Sequence, residues 1–186
     1  MKYPNAKIIM NNGNEITIEL YPNIAPNTVN SFVHCATNGY YDNQLIRRIV
    51  PGFVIQPSYN EFENNPNCMF EIDGEYAMNG FDNPISFEKY VVAMGTEGGV
   101  TASGSCFFIV VGDGNEERLN GKYPAFGRVI SGFEELERLC NVALKDVSLP
   151  NEPSVTIKEP LIPEIMKHVE IISNGWEFDE VKKIIK

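Results

Sequence analysis

Ile46-Arg47-Arg48-Ile49-Val50-Pro51-Gly52-Phe53-Val54-Ile55-Gln56 is an apolar run interrupted by two adjacent arginines and a Pro-Gly pair. A charged side chain inside an apolar strand is costly unless it is paired or faces a cleft. Strand alternation sends Arg47 and Arg48 to opposite sides, so one of them should look into a pocket. Residues 48, 50, 54 and 56 then share a face. Pro51-Gly52 is expected to bend or bulge the run and to reset that phase. Taken alone, the segment favours the plainer reading of two surface arginines whose stems cover apolar surface, joined by an ordinary turn.

The flanking chain sets the context. Ile16-Thr-Ile-Glu-Leu20 alternates with period two and follows Lys7-Ile-Ile-Met10 across Asn11-Asn12-Gly13-Asn14, which predicts a hairpin. Ala25-Pro26-Asn27-Thr28 opens a helix in which Val29, Phe32, Val33 and Ala36 form one stripe, closed by Asn38-Gly39. A second helix fits 132–141, with Phe133, Leu136, Leu139 and Cys140 on one face and glutamates early. Residues 90–94, 106–111 and 125–130 read as short strands. Many short strands with two internal helices argue for a sandwich or barrel rather than alternating βαβ units. Residues 149–163 carry four prolines and read as an extended connection. His168-Val-Glu-Ile-Ile172 is a candidate closing strand, and Phe178, Val181, Ile184 and Ile185 suit a short amphipathic helix. One domain over 1–186 is expected, with a core at about 6–173 and a helical tail at 174–186.

Bulk properties narrow the partners. The formal net charge of -10 leaves no basic surplus to neutralise phosphates, against nucleic acid or anionic membrane as the main partner. Cys35, Cys68, Cys106 and Cys140 are far apart and His34 and His168 stand alone, so no zinc site is expected and the thiols read as reduced. The polar start Met1-Lys-Tyr-Pro-Asn-Ala-Lys lacks an apolar signal core, and no run approaches a membrane span. A cytoplasmic location is expected.

The opening segment resembles the cyclophilin signature Phe-His-Arg-Ile-Ile-Pro-Gly-Phe-Met-x-Gln. Ser103-Gly-Ser-Cys-Phe-Phe-Ile109 is similar to the family's Asn-Gly-Ser-Gln-Phe-Phe-Ile, and Leu119-Asn-Gly-Lys-Tyr-Pro-Ala-Phe-Gly127 to Leu-Asp-Gly-Lys-His-Val-Val-Phe-Gly. Ile24-Ala-Pro-Asn-Thr-Val-Asn-Ser-Phe32 resembles the family's entry to its first helix, and Gly74-Glu-Tyr-Ala-Met-Asn-Gly80 a stretch of bacterial members. The blocks stand in the family's order.

That resemblance implies a closed eight-stranded antiparallel β-barrel capped by two helices. It implies a shallow outer groove for Xaa-Pro segments and peptidyl-prolyl cis-trans isomerase activity. By matching position, Arg48 is the catalytic arginine and Gln56 its partner amide. Phe53, Val54, Phe108 and Leu119 line the proline pocket, with Tyr123 in place of a histidine at the rim. Gly95, Thr96 and Glu97 lie along the substrate backbone. No bond is broken in the reaction, so neither a nucleophile, a metal nor a cofactor is implied.

Several positions depart from the family. Cys106 stands where an amide is usual, and a thiol donates poorly, so loss of a substrate contact is expected. Arg118 stands where the family has a tryptophan that contributes to cyclosporin binding, so weak cyclosporin binding is expected. Thr96 and Glu97 replace a small Asn-Ala pair. The loop Pro57-Ser-Tyr-Asn-Glu-Phe-Glu-Asn-Asn-Pro-Asn-Cys68 replaces a Gly-rich one and is bulkier and more acidic. The reading is a monomeric isomerase acting on proline-containing peptides and on unfolded or client proteins during folding. The alternative is a binding module of the same fold with weak or no catalysis.

Overall fold

The computed structural model describes residues 2–57, 65–150 and 152–184. Strands β1 (Asn5–Met10) and β2 (Glu15–Leu20) form the expected hairpin. Helix α1 (Pro26–Thr37) follows, with Val29, Phe32, Val33 and Ala36 all buried as the stripe predicts. Next come β3 (Gln44–Leu45), β4 (Arg48–Val50), β5 (Val54–Gln56), β6 (Glu71–Asp73), β7 (Val91–Met94), β8 (Thr101–Ser103) and β9 (Phe107–Val110). The chain continues through a short α2 (Glu116–Leu119), β10 (Ala125–Ser131), α3 (Phe133–Cys140), β11 (Leu144–Ser148), β12 (Thr156–Pro160) and β13 (Ile165–Ile172).

Nine strands form one antiparallel sheet in the order β3-β13-β1-β2-β10-β7-β9-β5-β4. The fold is mainly β, as expected, but the closed eight-stranded barrel is corrected to a curled, open nine-stranded sheet. The reason lies in the opening segment. Its first part, β3, pairs with β13, and its second part, β4, pairs with β5. Between them Ile46 donates to Glu164 O (2.9 Å), while Arg47 donates to Gln56 O (3.1 Å). One stretch of chain thus supplies both edges of the sheet, and its ends meet through the backbone instead of through a ladder. The sheet's concave side holds the main core, with Ile8, Ile18, Phe32, Tyr41, Ile49, Ile55, Phe107 and Phe126 buried together.

Two further expectations are corrected. Residues 149–163 are not a plain connection, because β12 within them pairs with β11 as a separate ribbon that packs against β4. The tail is not helical over 174–184. It runs extended, because extended backbone finds partners there: Asn27 Oδ1 accepts from Lys182 N (2.9 Å), Asn27 Nδ2 donates to Lys182 O (3.0 Å), and Ile184 bridges to Glu71. A short isolated helix would have to repay a costly nucleus with few bonds. The tail's root is fixed by Trp176, which stacks on Tyr3 (5.9 Å between centroids) and donates to Lys2 O (3.0 Å). Among the described residues no helix is long and apolar enough to cross a membrane.

Candidate active site

Strands β4 and β5 face each other with Arg48 opposite Gln56, Ile49 opposite Ile55 and Val50 opposite Val54. The register is unbroken across Pro51-Gly52-Phe53, so the expected phase reset does not occur. The turn absorbs the reversal instead: Gly52 takes φ 77° and Phe53 N donates to Val50 O (2.9 Å). Asn115 Nδ2 donates to Gly52 O (3.2 Å) and to Gly112 O (3.0 Å), pinning the turn to the following loop. A Cβ on Gly112 would lie 1.9 Å from Gly52 O, so only glycine admits this approach.

The pairing continues outward, with Val54 opposite Val110 on β9 and Phe108 opposite Ala93 on β7. Directly opposed residues share a face of the sheet. Arg48, Val50, Val54, Gln56, Phe108 and Ala93 therefore lie on the outer face, while Ile49, Ile55, Phe107 and Ile109 enter the core. Arg47 takes the opposite side from Arg48 and pairs with Glu159 of the ribbon (3.1 Å). Alternation sorted the two arginines as the sequence predicts.

The outer face carries its own apolar cluster. Val54, Phe87, Val91, Ala93, Phe108, Val110, Leu119 and Ala125 are buried in it, with Phe53, Ile85 and Tyr123 packed at its margin. Tyr123 meets Phe108 edge-on at 5.3 Å, and Phe87 stacks beside Phe108 at 6.3 Å. Arg118 on α2 is exposed and lays its guanidinium 3.9 Å from the centroid of Phe53.

Beside this cluster stands the polar group. Arg48 Nη1 donates to Gln56 Oε1 (3.3 Å), and Gln56 Nε2 donates to Cys106 Sγ (3.4 Å). Cys106 is buried and serves Gln56 as an acceptor, so the residue expected only to lose a contact has a partner of its own. Gly95 N donates to Cys106 O (2.7 Å), which places the 95–97 segment alongside. The hydroxyl of Thr96 donates to Thr101 O (2.7 Å) and accepts from Gly98 N (2.9 Å), holding its own loop. Glu97 is exposed. Of the acidic loop 57–68, residues 58–64 lie outside the described residues.

Apart from the exposed Glu97, the sequence-predicted site residues sit on this outer face or beside it. Sequence reasoning missed Phe87 and Asn115. Neither lies in a periodic run, and their partners, Phe108 and Gly52, are respectively 21 and 63 positions away. Among the described residues no group of three or more His, Cys, Asp or Glu is arranged to hold a metal ion. Burial pushes the thiols of Cys35 and Cys68 up to about 12 and about 11, well away from reactive thiolates.

Residues 6–160 match the family model described as cyclophilin type peptidyl-prolyl cis-trans isomerase/CLD. The chain belongs to the cyclophilin-type peptidyl-prolyl cis-trans isomerase family. Among curated relatives it is 34% identical over 135 residues to peptidyl-prolyl cis-trans isomerase B of Bacillus subtilis, covering 72% of this chain and 88% of that protein. It is 30% identical to peptidyl-prolyl cis-trans isomerase ppi1 of Schizosaccharomyces pombe, covering 77% and 90%. A match to peptidyl-prolyl isomerase cwc-27 of Neurospora crassa, 28% identical, takes in 95% of this chain but only 35% of that longer protein. Among solved structures, a cyclophilin type isomerase of Cryptosporidium parvum superposes with TM-score 0.70 at 26% identity, covering 93% of this chain and 99% of that one. A second structure of that protein, determined in the presence of the dipeptide Ala-Pro, gives TM-score 0.69 at 26% identity, covering 91% and 99%. The cyclophilin fold accounts for the curled sheet with few helices.

Proposed function

We propose that this cyclophilin-family chain catalyses rotation about Xaa-Pro bonds on the outer face of β4, β5 and β9, with Arg48 as its catalytic residue. The observation that carries the reading is the Arg48–Gln56 pair standing on the same sheet face as the apolar cluster of Val54, Phe108 and Leu119. Amide rotation is slow because resonance stiffens the C–N bond, with a barrier of about 18–20 kcal/mol. In the twisted transition state resonance is lost and the prolyl nitrogen gains a lone pair. A donor aimed at that nitrogen binds the twisted state more tightly than the planar one, which is what lowers the barrier. Arginine suits this task because it stays charged and presents a rigid fork of donors. Gln56 holds one arm of that fork through Nη1 and so orients the guanidinium on the outer face. Phe53, Val54, Phe108, Leu119 and Tyr123 seat the proline ring, while Gly95, Thr96 and Glu97 flank the substrate backbone. A thousandfold acceleration requires about 4 kcal/mol, within reach of one charged donor plus positioning.

The reading extends to a single-domain monomer acting in the cytoplasm on proline-containing segments of unfolded or client proteins, with weak cyclosporin binding. It rests on the acidic composition and on Arg118 at the pocket rim. A second reading, a binding module with weak or no catalysis, draws on the Gln56–Cys106 contact, which occupies the amide that would otherwise address substrate. Exchange rates of an Xaa-Pro peptide measured by NMR separate the two. Acceleration by the wild type and its loss in Arg48→Ala support the enzyme. Peptide binding without acceleration supports the module, and full rate in Arg48→Ala removes Arg48 from its assigned role.

A further inference from the structure

We propose that the extended C-terminal tail is a strap that positions the groove wall at residues 101–106. The proposal rests on the isomerase reading, because that wall borders the Arg48–Gln56 site. Near its end the tail touches two adjacent residues of the body, Phe70 and Glu71. Ile184 N donates to Glu71 O (2.9 Å), and the Lys183 ammonium sits 4.2 Å from the centroid of Phe70. Each of these residues turns its other side to the wall. Glu71 pairs with Ser103 in the β6–β8 ladder and its Oε1 accepts from Thr101 Oγ1 (3.2 Å). Phe70 lies so close to Gly104 that a Cβ there would fall 2.1 Å from its ring, and Phe70 O accepts from Gly104 N (2.9 Å).

The wall in turn touches the site. Ser103 N donates to Gly95 O (2.9 Å), Ser103 Oγ accepts from Cys106 N (2.9 Å), and Thr101 O accepts from Thr96 Oγ1 (2.7 Å). Cys106 Sγ is the acceptor for Gln56. Thus Lys183 and Ile184 bear on Phe70 and Glu71, these bear on 101–104, and those set Gly95, Thr96 and Cys106. The strap has a second fastening, the paired hydrogen bonds of Asn27 with Lys182 (2.9 and 3.0 Å), on a helix start that Glu75 holds. Lys183 and Ile184 are positioning residues, since they bear on the site through Phe70 and Glu71.

The test uses the full chain with Ile184→Pro, which removes the N–H that donates to Glu71, alongside Lys183→Ala. Ile184→Val keeps the N–H and serves as the rescue. The expected result in Ile184→Pro is a change in the amide shifts of Thr101, Gly104 and Cys106, with KM for an Xaa-Pro peptide raised about three- to tenfold and kcat within about twofold. Lys183→Ala should move the same amides less, and Ile184→Val should behave as wild type. The strap is overturned if the tail's own amides move in Ile184→Pro while those of 101–106 and KM stay put. Absence of acceleration by the wild type sinks the isomerase reading instead, and the strap is then decided by the same amide shifts together with the peptide's Kd.

Discussion

Arg48 and Gln56 stand directly opposite each other across the β4–β5 ladder, and their side chains meet on the outer face at 3.3 Å. The hairpin therefore fixes the pair as a unit: neither can move along the strand without breaking register.

A unit of this kind should behave non-additively. Arg48→Ala is expected to lower kcat/KM by about a hundredfold or more, the loss typical of one donor to a developing charge. Gln56→Leu should cost about tenfold, because it removes the oxygen that orients Nη1 of the guanidinium. Once Arg48 is gone, Gln56 Oε1 has no guanidinium left to orient, so the double variant should be no worse than Arg48→Ala by more than about twofold. NMR exchange rates for the four proteins check this, and additive losses would refute the pairing.

The start of α1 is held from a distance. No side chain at Ala25 caps it, yet buried Glu75 accepts from Asn27 N (3.1 Å), Thr28 N (2.8 Å) and Thr28 Oγ1 (2.6 Å). A carboxylate at a helix N-terminus satisfies orphan donors and favours the dipole. Glu75→Ala leaves buried donors unpaired and is expected to cost about 2–3 kcal/mol, against about 1 kcal/mol for Glu75→Gln. Urea midpoints read out both.

These features differ in how far the sequence displays them. The β1–β2 hairpin and α1 are local: their turn residues and periodicity lie within a dozen positions, and the structure follows them. The sorting of Arg47 from Arg48 is also local, since alternation alone decides it. The tail's extended course is not legible locally, because Val181 and Ile184 fit a helical stripe while the groups that make it extended, Asn27 and Glu71, lie more than a hundred residues away. The sheet's openness was hidden for a related reason, since nothing in the segment says that its two halves choose different neighbours at Ile46–Arg47. Phe87 packs through a loop with no period, so only the folded chain reveals it.

Acid should weaken the molecule through Glu135. Burial alone pushes this carboxyl up, but hydrogen bonds from Arg138, Asn14 and Asn12 together outweigh it and hold the group below its ordinary value of 4.5. A carboxylate depressed in the folded state contributes stability above its unfolded value and loses it as pH falls through the folded one. Glu135→Gln should therefore be less stable than wild type at pH 7, by about 1–3 kcal/mol. The gap should begin to narrow as pH falls below the ordinary value of 4.5 and close only below the lower folded value, where both proteins carry a neutral side chain. Denaturant unfolding at a series of pH values tests it, and a gap independent of pH would rule the linkage out.

Thiol chemistry should be slow in the native protein. Cys35, Cys68 and Cys106 are at most 3% exposed, and burial raises the first two far above neutral pH. Cys140 is half-buried and its thiol is also raised, again by burial first. An aromatic disulfide reagent at pH 8 is expected to leave all four thiols largely unreacted over minutes and to titrate four in denaturant. Rapid native labelling of Cys106 would show that the wall beside Gln56 opens and that this thiol is reactive.

Arg118 is expected to govern how the outer face treats a large apolar ligand. Its guanidinium covers Phe53 at 3.9 Å, a contact worth about 0.5–1 kcal/mol at an exposed site. The cation places a hydrated charge where the family's tryptophan offers a flat apolar surface and one indole donor. Replacing it should cost little stability, because Arg118 is exposed and a tryptophan can cover the same ring. Arg118→Trp is therefore expected to tighten cyclosporin at least about tenfold, or about 1.4 kcal/mol, over a weakly binding wild type. Its rate on a small Xaa-Pro peptide should stay within about threefold, since the Arg48–Gln56 pair is untouched. Calorimetric titration of both proteins is the check. Nanomolar affinity in the wild type would mean that Arg118 swings off Phe53 at no cost and does not govern the rim.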